Sequence, residues 1–130
     1  MARTTILLAD DNKAILEEVC RGLETEFQIV GCVHNGKDAV DSVIRFEPDV
    51  LILDISMPLL NGLQVASHLR ERHLRTKILF FSVHEQPEYV SAAISAGGTG
   101  YVPKQGLSEL AFAIRELAKG KTFISSFGKT

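Results

Sequence analysis

Three acids, one hydroxyl and one ammonium each follow a short apolar run. Asp10-Asp11 come after Ile6-Leu7-Leu8-Ala9, Asp54 after Val50-Leu51-Ile52-Leu53, Ser82 after Ile78-Leu79-Phe80-Phe81, and Lys104 just after Tyr101-Val102. If these runs are neighbouring strands, spaced about 4.8 Å apart, their end residues emerge along one rim. Two unit charges ~5 Å apart repel by about 3 kcal/mol at an effective dielectric of ~20, so the acids need a cation or Lys104 to offset them. Hard carboxylate oxygens with room for water suit Mg²⁺ better than zinc, and no Cys/His cluster competes for the assignment. A divalent ion beside a lysine and a hydroxyl would hold a phosphoryl group well, because each would meet one of its oxygens. The remaining carboxylate oxygen can serve as nucleophile. Taken singly, Asp10, Asp11 and Ser82 would be helix caps and Lys104 a solvated surface lysine. Their joint placement at four strand ends is what points to chemistry.

The elements that must position these groups are legible as an alternation. Five strand-length runs, the four above (the fifth being Tyr101-Val102) together with Ile29-Val30-Gly31-Cys32-Val33, are mostly continuous, as expected for strands covered on both faces. Between them lie helical stripes: Ile15, Val19 and Leu23; Val40, Val43 and Ile44; Leu63, Ala66 and Leu69; Tyr89, Val90, Ala93 and Ile94; and Leu107, Leu110, Ile114 and Leu117. Breakers such as Asn35-Gly36, Pro58 to Gly62, Pro87 and Gly97-Gly98 separate them, and Ser108-Glu109 marks a start for the last helix. Five strands alternating with five helices predict an α/β fold with a doubly wound five-stranded parallel sheet, whose ligands bind beyond the carboxyl ends of the strands. One domain is expected over residues 4–119, with 120–130 as a tail or linker stub.

Composition narrows the function. The 130 residues are 45% hydrophobic and 23% charged, which fits one ordinary folded domain. Fourteen basic against sixteen acidic residues give a formal net charge of −2, without the basic field that nucleic-acid binding normally needs, so this domain is not expected to touch nucleic acid itself. The longest apolar run, Leu110 to Ile114, is far short of the ~18 residues that span a bilayer, and no secretory pattern opens the chain; no membrane association and a cytoplasmic location are expected. Cys20 and Cys32 lack CxxC spacing and read as two buried thiols.

The ordered set Ala9-Asp10-Asp11, Leu53-Asp54-Ile55-Ser56-Met57-Pro58 with Asn61-Gly62, Phe81-Ser82, and Gly100-Tyr101-Val102-Pro103-Lys104 resembles the response-regulator receiver domains of two-component signalling, from about residue 4 to 119. The stretch Ser82 to Val90 further resembles receivers joined to a C-terminal helix-turn-helix module. The resemblance implies the flavodoxin-like strand order 2-1-3-4-5. It implies that Asp54 accepts a phosphoryl group from a partner histidine kinase or phosphotransfer protein, and that Asp11, Asp54 and the Ser56 carbonyl hold Mg²⁺, Asp10 acting through water. It further implies that Lys104 and Ser82 meet the phosphoryl oxygens, and that Tyr101 is an aromatic switch that turns inward when Ser82 moves. The readout face would be the fourth helix, fifth strand and fifth helix. Regulation of transcription through an effector domain is then expected, with a stand-alone receiver as the alternative; a homodimer through the last helix is a further expectation. Three positions depart from the family pattern: Val83 is larger than the usual small residue, Gln105 follows Lys104 where many receivers have proline, and Gly97-Gly98 replaces Gly-Ala. His84 reads as a partly exposed loop residue.

Other readings fare worse. Gly31 to Asp38 nearly spells a P-loop, but Asp38 stands where the Mg²⁺-binding hydroxyl belongs and Gly31 lies within a strand pattern. An aspartyl-phosphate hydrolase would want a general acid two residues after its nucleophile, where this chain has Ser56. A flavin binder would need a Ser/Thr/Gly-rich phosphate loop where Asp10-Asp11 stand. A self-phosphorylating switch, not a multiple-turnover enzyme, is therefore expected.

Overall fold

The computed structural model describes residues 3–125. Strands β1 (Thr5–Ala9), β2 (Gln28–Val33), β3 (Val50–Leu53), β4 (Lys77–Ser82) and β5 (Gly100–Pro103) alternate with helices α1 (Lys13–Leu23), α2 (Gly36–Phe46), α3 (Gly62–Glu71), α4 (Pro87–Ser95) and α5 (Leu110–Ala118). All pairings are parallel, and the sheet order is β2-β1-β3-β4-β5 followed by a short strand β6 (Phe123–Ile124). The doubly wound α/β fold expected from the alternation is therefore the fold observed, enlarged by one strand.

The continuous apolar runs reflect burial on both faces. Ile6 and Leu8 point with Ile52, Leu79 and Phe81 toward α1 and α5, whereas Leu7, Leu51, Leu53 and Phe80 point toward α2, α3 and α4. Each central strand residue is thus removed from water, at roughly 1.5–3 kcal/mol per large side chain. Three helices start on asparagine caps: Asn12, Asn35 and Asn61 accept from the backbone N–H of Ile15, Asp38 and Gln64. Gln64 returns a hydrogen bond to the Asn61 N–H, closing a capping box immediately after the loop that carries Asp54.

The structure departs from the sequence pattern in four places. Phe123-Ile124, within the stretch read as a tail, pair with Gly100 and Tyr101 of β5; a two-residue strand is too short to leave a periodic signal. Residues 126–130 of that stretch lie outside the described residues. The last helix starts at Leu110, because Lys104–Glu109 form a 3-10 turn with non-helical Gly106 inside it. Ile44 and Ile94, read as stripe residues, are 41% and 42% exposed, since α2 and α4 each present a narrower face to the sheet than the pattern suggests. Cys32 is exposed, because β2 is the sheet's edge strand and carries an irregularity where its register on β1 shifts between Ile6 and Leu7, and Cys20 on α1 is half-buried.

Candidate functional site

Strands β1, β3, β4 and β5 each deliver one part of the site at or just beyond their carboxyl ends. The Asp10 N–H bonds the Val33 carbonyl and the Asp54 N–H bonds the Ala9 carbonyl, so the sheet ladder runs one residue past β1 and β3 and fixes both acids at the rim. Asp10 and Asp54 are buried and Asp11 is exposed. One carboxylate oxygen from each of the three lies within 4.8 Å of the others. Lys104, in the turn after β5, places Nζ 2.7 Å from Asp10 Oδ2 and 3.4 Å from Asp54 Oδ2. The sequence reading brings these four residues together, and the fold does so.

Their electrostatics follow from that packing. Burial first, then the neighbouring Asp10 charge, push the Asp54 carboxyl up to about 6, although Lys104 pulls it down. Burial alone would lower the Lys104 ammonium, but its hydrogen bond to Asp10 and the charge of Asp54 outweigh that and raise it. Lys104 is thus held as a cation between two acids, which tempers their repulsion without removing it. The donor set fits a hard divalent cation: three carboxylates, one open to water, with no thiol or imidazole among them.

Ser82 ends β4 fully buried, and its Oγ accepts from the His84 N–H at 3.0 Å. Tyr101, also fully buried, donates its hydroxyl to the His84 carbonyl at 2.8 Å. The Tyr101 ring is therefore already inward, tied to the segment that follows Ser82. Ser56 is exposed in the loop after β3, with Oγ 3.3 Å from His84 Nε2. The His84 ring stacks on Tyr89 of α4, centroids 4.0 Å apart and planes 7° apart. His84 is the partly exposed loop residue expected, and it also links the loop after β3 to α4. Its only signal was parity, standing two residues after Ser82 as Ser56 stands two after Asp54.

Gly62 explains why the Asp54 loop can close so tightly. Its N–H bonds the Ile55 carbonyl at 2.7 Å, and a Cβ there would lie 2.2 Å from the Asp54 carbonyl oxygen and 2.9 Å from Ile55 Cα. Both are backbone atoms that cannot step aside. Gly62→Ala is therefore expected to cost about 1–3 kcal/mol by overpacking, measured by urea denaturation, and to disturb Asp54 directly; an unchanged midpoint would show that the loop relaxes freely.

A larger cleft of about 550 Å³ lies at the opposite ends of the strands, lined by Thr4, Pro48, Asp49, Thr76 and Lys77 among others. Of the two acids lining it, Glu47 and Asp49, the second is already spent structurally, since Asp49 Oδ2 accepts from both the N–H and the hydroxyl of Thr5. No helix among the described residues is long and apolar enough to cross a membrane.

Comparison with known proteins places this geometry. The chain is 34% identical over 123 residues to the uncharacterized transcriptional regulatory protein YvfU of Bacillus subtilis strain 168, covering 92% of this chain and 62% of that protein. It superposes on the signal receiver domain of the putative response regulator NarL from Mycobacterium tuberculosis with a TM-score of 0.89 at 31% identity, covering 93% of this chain and 100% of that one. A LuxR-family DNA-binding response regulator from Staphylococcus aureus matches with a TM-score of 0.84 at 28% identity, covering 88% of this chain and 98% of that one. The chain spans about half to three-fifths of the length of the curated relatives it matches, 52% and 62% for two of them. The sequence profile of the response regulator receiver domain matches residues 6–115, a span that contains Asp10, Asp11, Asp54, Ser82 and Lys104. With acids, hydroxyl and lysine all falling inside that match and at one rim, the chain belongs to the response regulator receiver domain family.

Proposed function

We propose that Asp54 is the phosphoacceptor of a two-component signalling switch. One observation carries the reading: three carboxylate oxygens lie within 4.8 Å of one another, with the Lys104 ammonium bridging two of the acids. An Asp54 Oδ attacks the phosphorus of a phosphohistidine on a partner kinase or phosphotransfer protein. The P–O bond forms as the P–N bond breaks, and the electron pair stays on the imidazole nitrogen, which takes up a proton. Asp10, Asp11, Asp54 and the Ser56 carbonyl would hold Mg²⁺, which supplies charge neutralisation of the transferring group when bound. Lys104 and Ser82 meet the phosphoryl oxygens; Ser82 leaves its bond to the His84 N–H to do so. Tyr101 and His84 share that hydrogen-bond group, so the change passes to α4, β5 and α5. The added charge of roughly −1.5 to −2 and three acceptor oxygens bias this two-state element.

The domain turns over no external substrate, contacts a cytoplasmic kinase, and regulates transcription through a part of the protein outside this chain; Phe112, 49% exposed on α5, is an apolar residue a second copy would cover. The test is intact mass spectrometry after incubation with Mg²⁺ and acetyl phosphate. One alkali-labile phosphoryl adduct is expected; no adduct with or without Mg²⁺ would sink the reading.

Val83 is 62% exposed, on the loop directly after Ser82. Its side chain is larger than the small residue usual there and is expected to narrow access to Asp54, so Val83→Ala is expected to speed both gain and loss of the phosphoryl group. Rates followed by phosphate release that match the parent would remove Val83 from the account.

A further inference from the structure

The Asn35-Gly36 turn starts α2, and it also touches the loop that follows Asp54. That loop, residues 55–61, is fastened at two points. At its base the Gly62 N–H bonds the Ile55 carbonyl at 2.7 Å. At its tip the Pro58 carbonyl accepts from the Gly36 N–H at 3.2 Å and from the Leu60 N–H at 2.9 Å. The approach is so close that a Cβ on Gly36 would overlap the Leu60 carbonyl oxygen and lie 2.6 Å from Leu60 Cβ. Asn35 fixes where that glycine stands, because its side chain caps α2 by accepting from the Asp38 N–H at 2.8 Å. Between the two fastenings lie Ser56 and Leu59. Leu59 has a φ of 72° and is 72% exposed. A leucine adopts this left-handed conformation only where its surroundings impose it. Burial offers Leu59 nothing in return, so the bonds made by its neighbours Pro58 and Leu60 are what hold it.

We propose that Gly36 is a positioning residue for the divalent cation: the first turn of α2 braces the loop after β3 in the shape in which the Ser56 carbonyl serves as a ligand. The inference rests on the Mg²⁺ reading above. An alanine at position 36 pushes the Leu60 end of the loop off α2 and takes the Gly36 N–H from the Pro58 carbonyl. Leu59 then relaxes out of the left-handed region, and the backbone around Ser56 moves with it. The acids are anchored separately. Asp10 and Asp54 are set by the ladder bonds to Val33 and Ala9, and Gly62 still holds the base of the loop. Cation affinity therefore falls while the carboxylates stay where they are.

Titration of the whole chain with Mg²⁺, followed by NMR amide shifts, tests this, with urea midpoints as the measure of folding. Gly36→Ala is expected to raise the Mg²⁺ Kd about tenfold, as losing a group that orients a metal ligand does. Gly31→Ala is the control from the neighbouring strand. A Cβ there meets only Leu7 Cδ1, at 3.2 Å, a side-chain end that can move, so the parental Kd should be kept. Leu60 packs half-buried against the core, and Leu60→Ala loosens the tip of the loop without a clash. It should raise the Kd severalfold, which decides the matter if Gly36→Ala does not fold. Phosphoryl uptake from acetyl phosphate should divide in the same way: Gly36→Ala needs about tenfold more Mg²⁺ for half its maximal rate, and that maximal rate matches the parent's. A parent that binds Mg²⁺, with the same Kd in Gly36→Ala and Leu60→Ala, overturns the brace and leaves the phosphoacceptor reading standing. An equal rise in Gly31→Ala also overturns it, by assigning the loss to general loosening. A parent that binds no Mg²⁺ sinks both.

Discussion

An Asp54→Asn chain is expected to take up no phosphoryl group from acetyl phosphate and Mg²⁺ and, in metal-free buffer at neutral pH, to be more stable than its parent. The first half follows because an amide oxygen is not a nucleophile of carboxylate strength. The second follows from where Asp54 sits. Its carboxyl is raised from 3.8 to about 6 by burial and by Asp10. A group whose folded pKa is raised stabilises fully below its unfolded pKa, and that contribution disappears as pH climbs through the folded value. The parent should therefore lose stability between about pH 4 and 7 through this group, by about 1–2 kcal/mol once solvent screening at the open rim is allowed for. Asparagine has no charge to lose, so its urea midpoint should stay flat across that window and exceed the parent's at pH 7.5. Added Mg²⁺ should reverse the order, because only the parent offers all three carboxylates and gains stability by binding. An adduct that persists in the variant would move the acceptor elsewhere. A variant less stable than the parent at pH 7.5 without metal would show that the Lys104 contact outweighs burial.

The contrast between a costly site and an undemanding frame explains what the sequence made legible. Strand ends were readable because burial on both faces demands unbroken runs such as Val50 to Leu53, and a charge after such a run has nowhere to go but the rim. That logic alone places Asp10, Asp54, Ser82 and Lys104 at the rim, and the resemblance adds their roles. What escaped was of another kind. The 3-10 turn after Lys104 depends on Gly106 and on a carboxylate folding back over it, which no periodicity encodes. Strand β6 is held by pairing with β5, by the Phe123–Phe112 ring contact and by Ser125, whose burial is decided by tertiary contact and not by hydropathy. Cys32 looked like core because its neighbours are apolar; only its position on the sheet edge exposes it. His84 looked like loop because a polar residue between Val83 and Glu85 carries no pattern, yet it contacts Ser56, Ser82, Tyr89 and Tyr101.

Lys104→Met is expected to have the largest effect on stability, and the effect should depend on pH in a way no packing change would. Methionine fills much of the same space but leaves two acids, each 5% exposed in its side chain, facing one another without a cation. Removing one partner of a buried pair typically costs about 3–5 kcal/mol; with Asp11 open to solvent beside the pair, a loss of about 2–3 kcal/mol at pH 8 is expected. Lys104 is what pulls the Asp54 carboxyl down, so its loss raises that carboxyl further. Since a raised folded value means stability lost as pH rises, the variant's stability should fall more steeply than the parent's between pH 5 and 8. The gap should narrow toward pH 5, where protonated Asp54 no longer needs the ammonium and only Asp10 lacks its partner. Denaturant midpoints over that range measure it, and a constant gap would assign the loss to packing of the aliphatic stem. Mg²⁺ should narrow the gap at pH 8, because a cation seated among the carboxylates replaces part of what Lys104 supplied. Phosphoryl uptake should not recover with it: losing one charged partner to the transferring oxygens slows such transfers on the order of a hundredfold. Recovered stability with a transfer rate still depressed would separate the two tasks of this lysine, neutralising the acids at rest and meeting the phosphoryl group when it arrives.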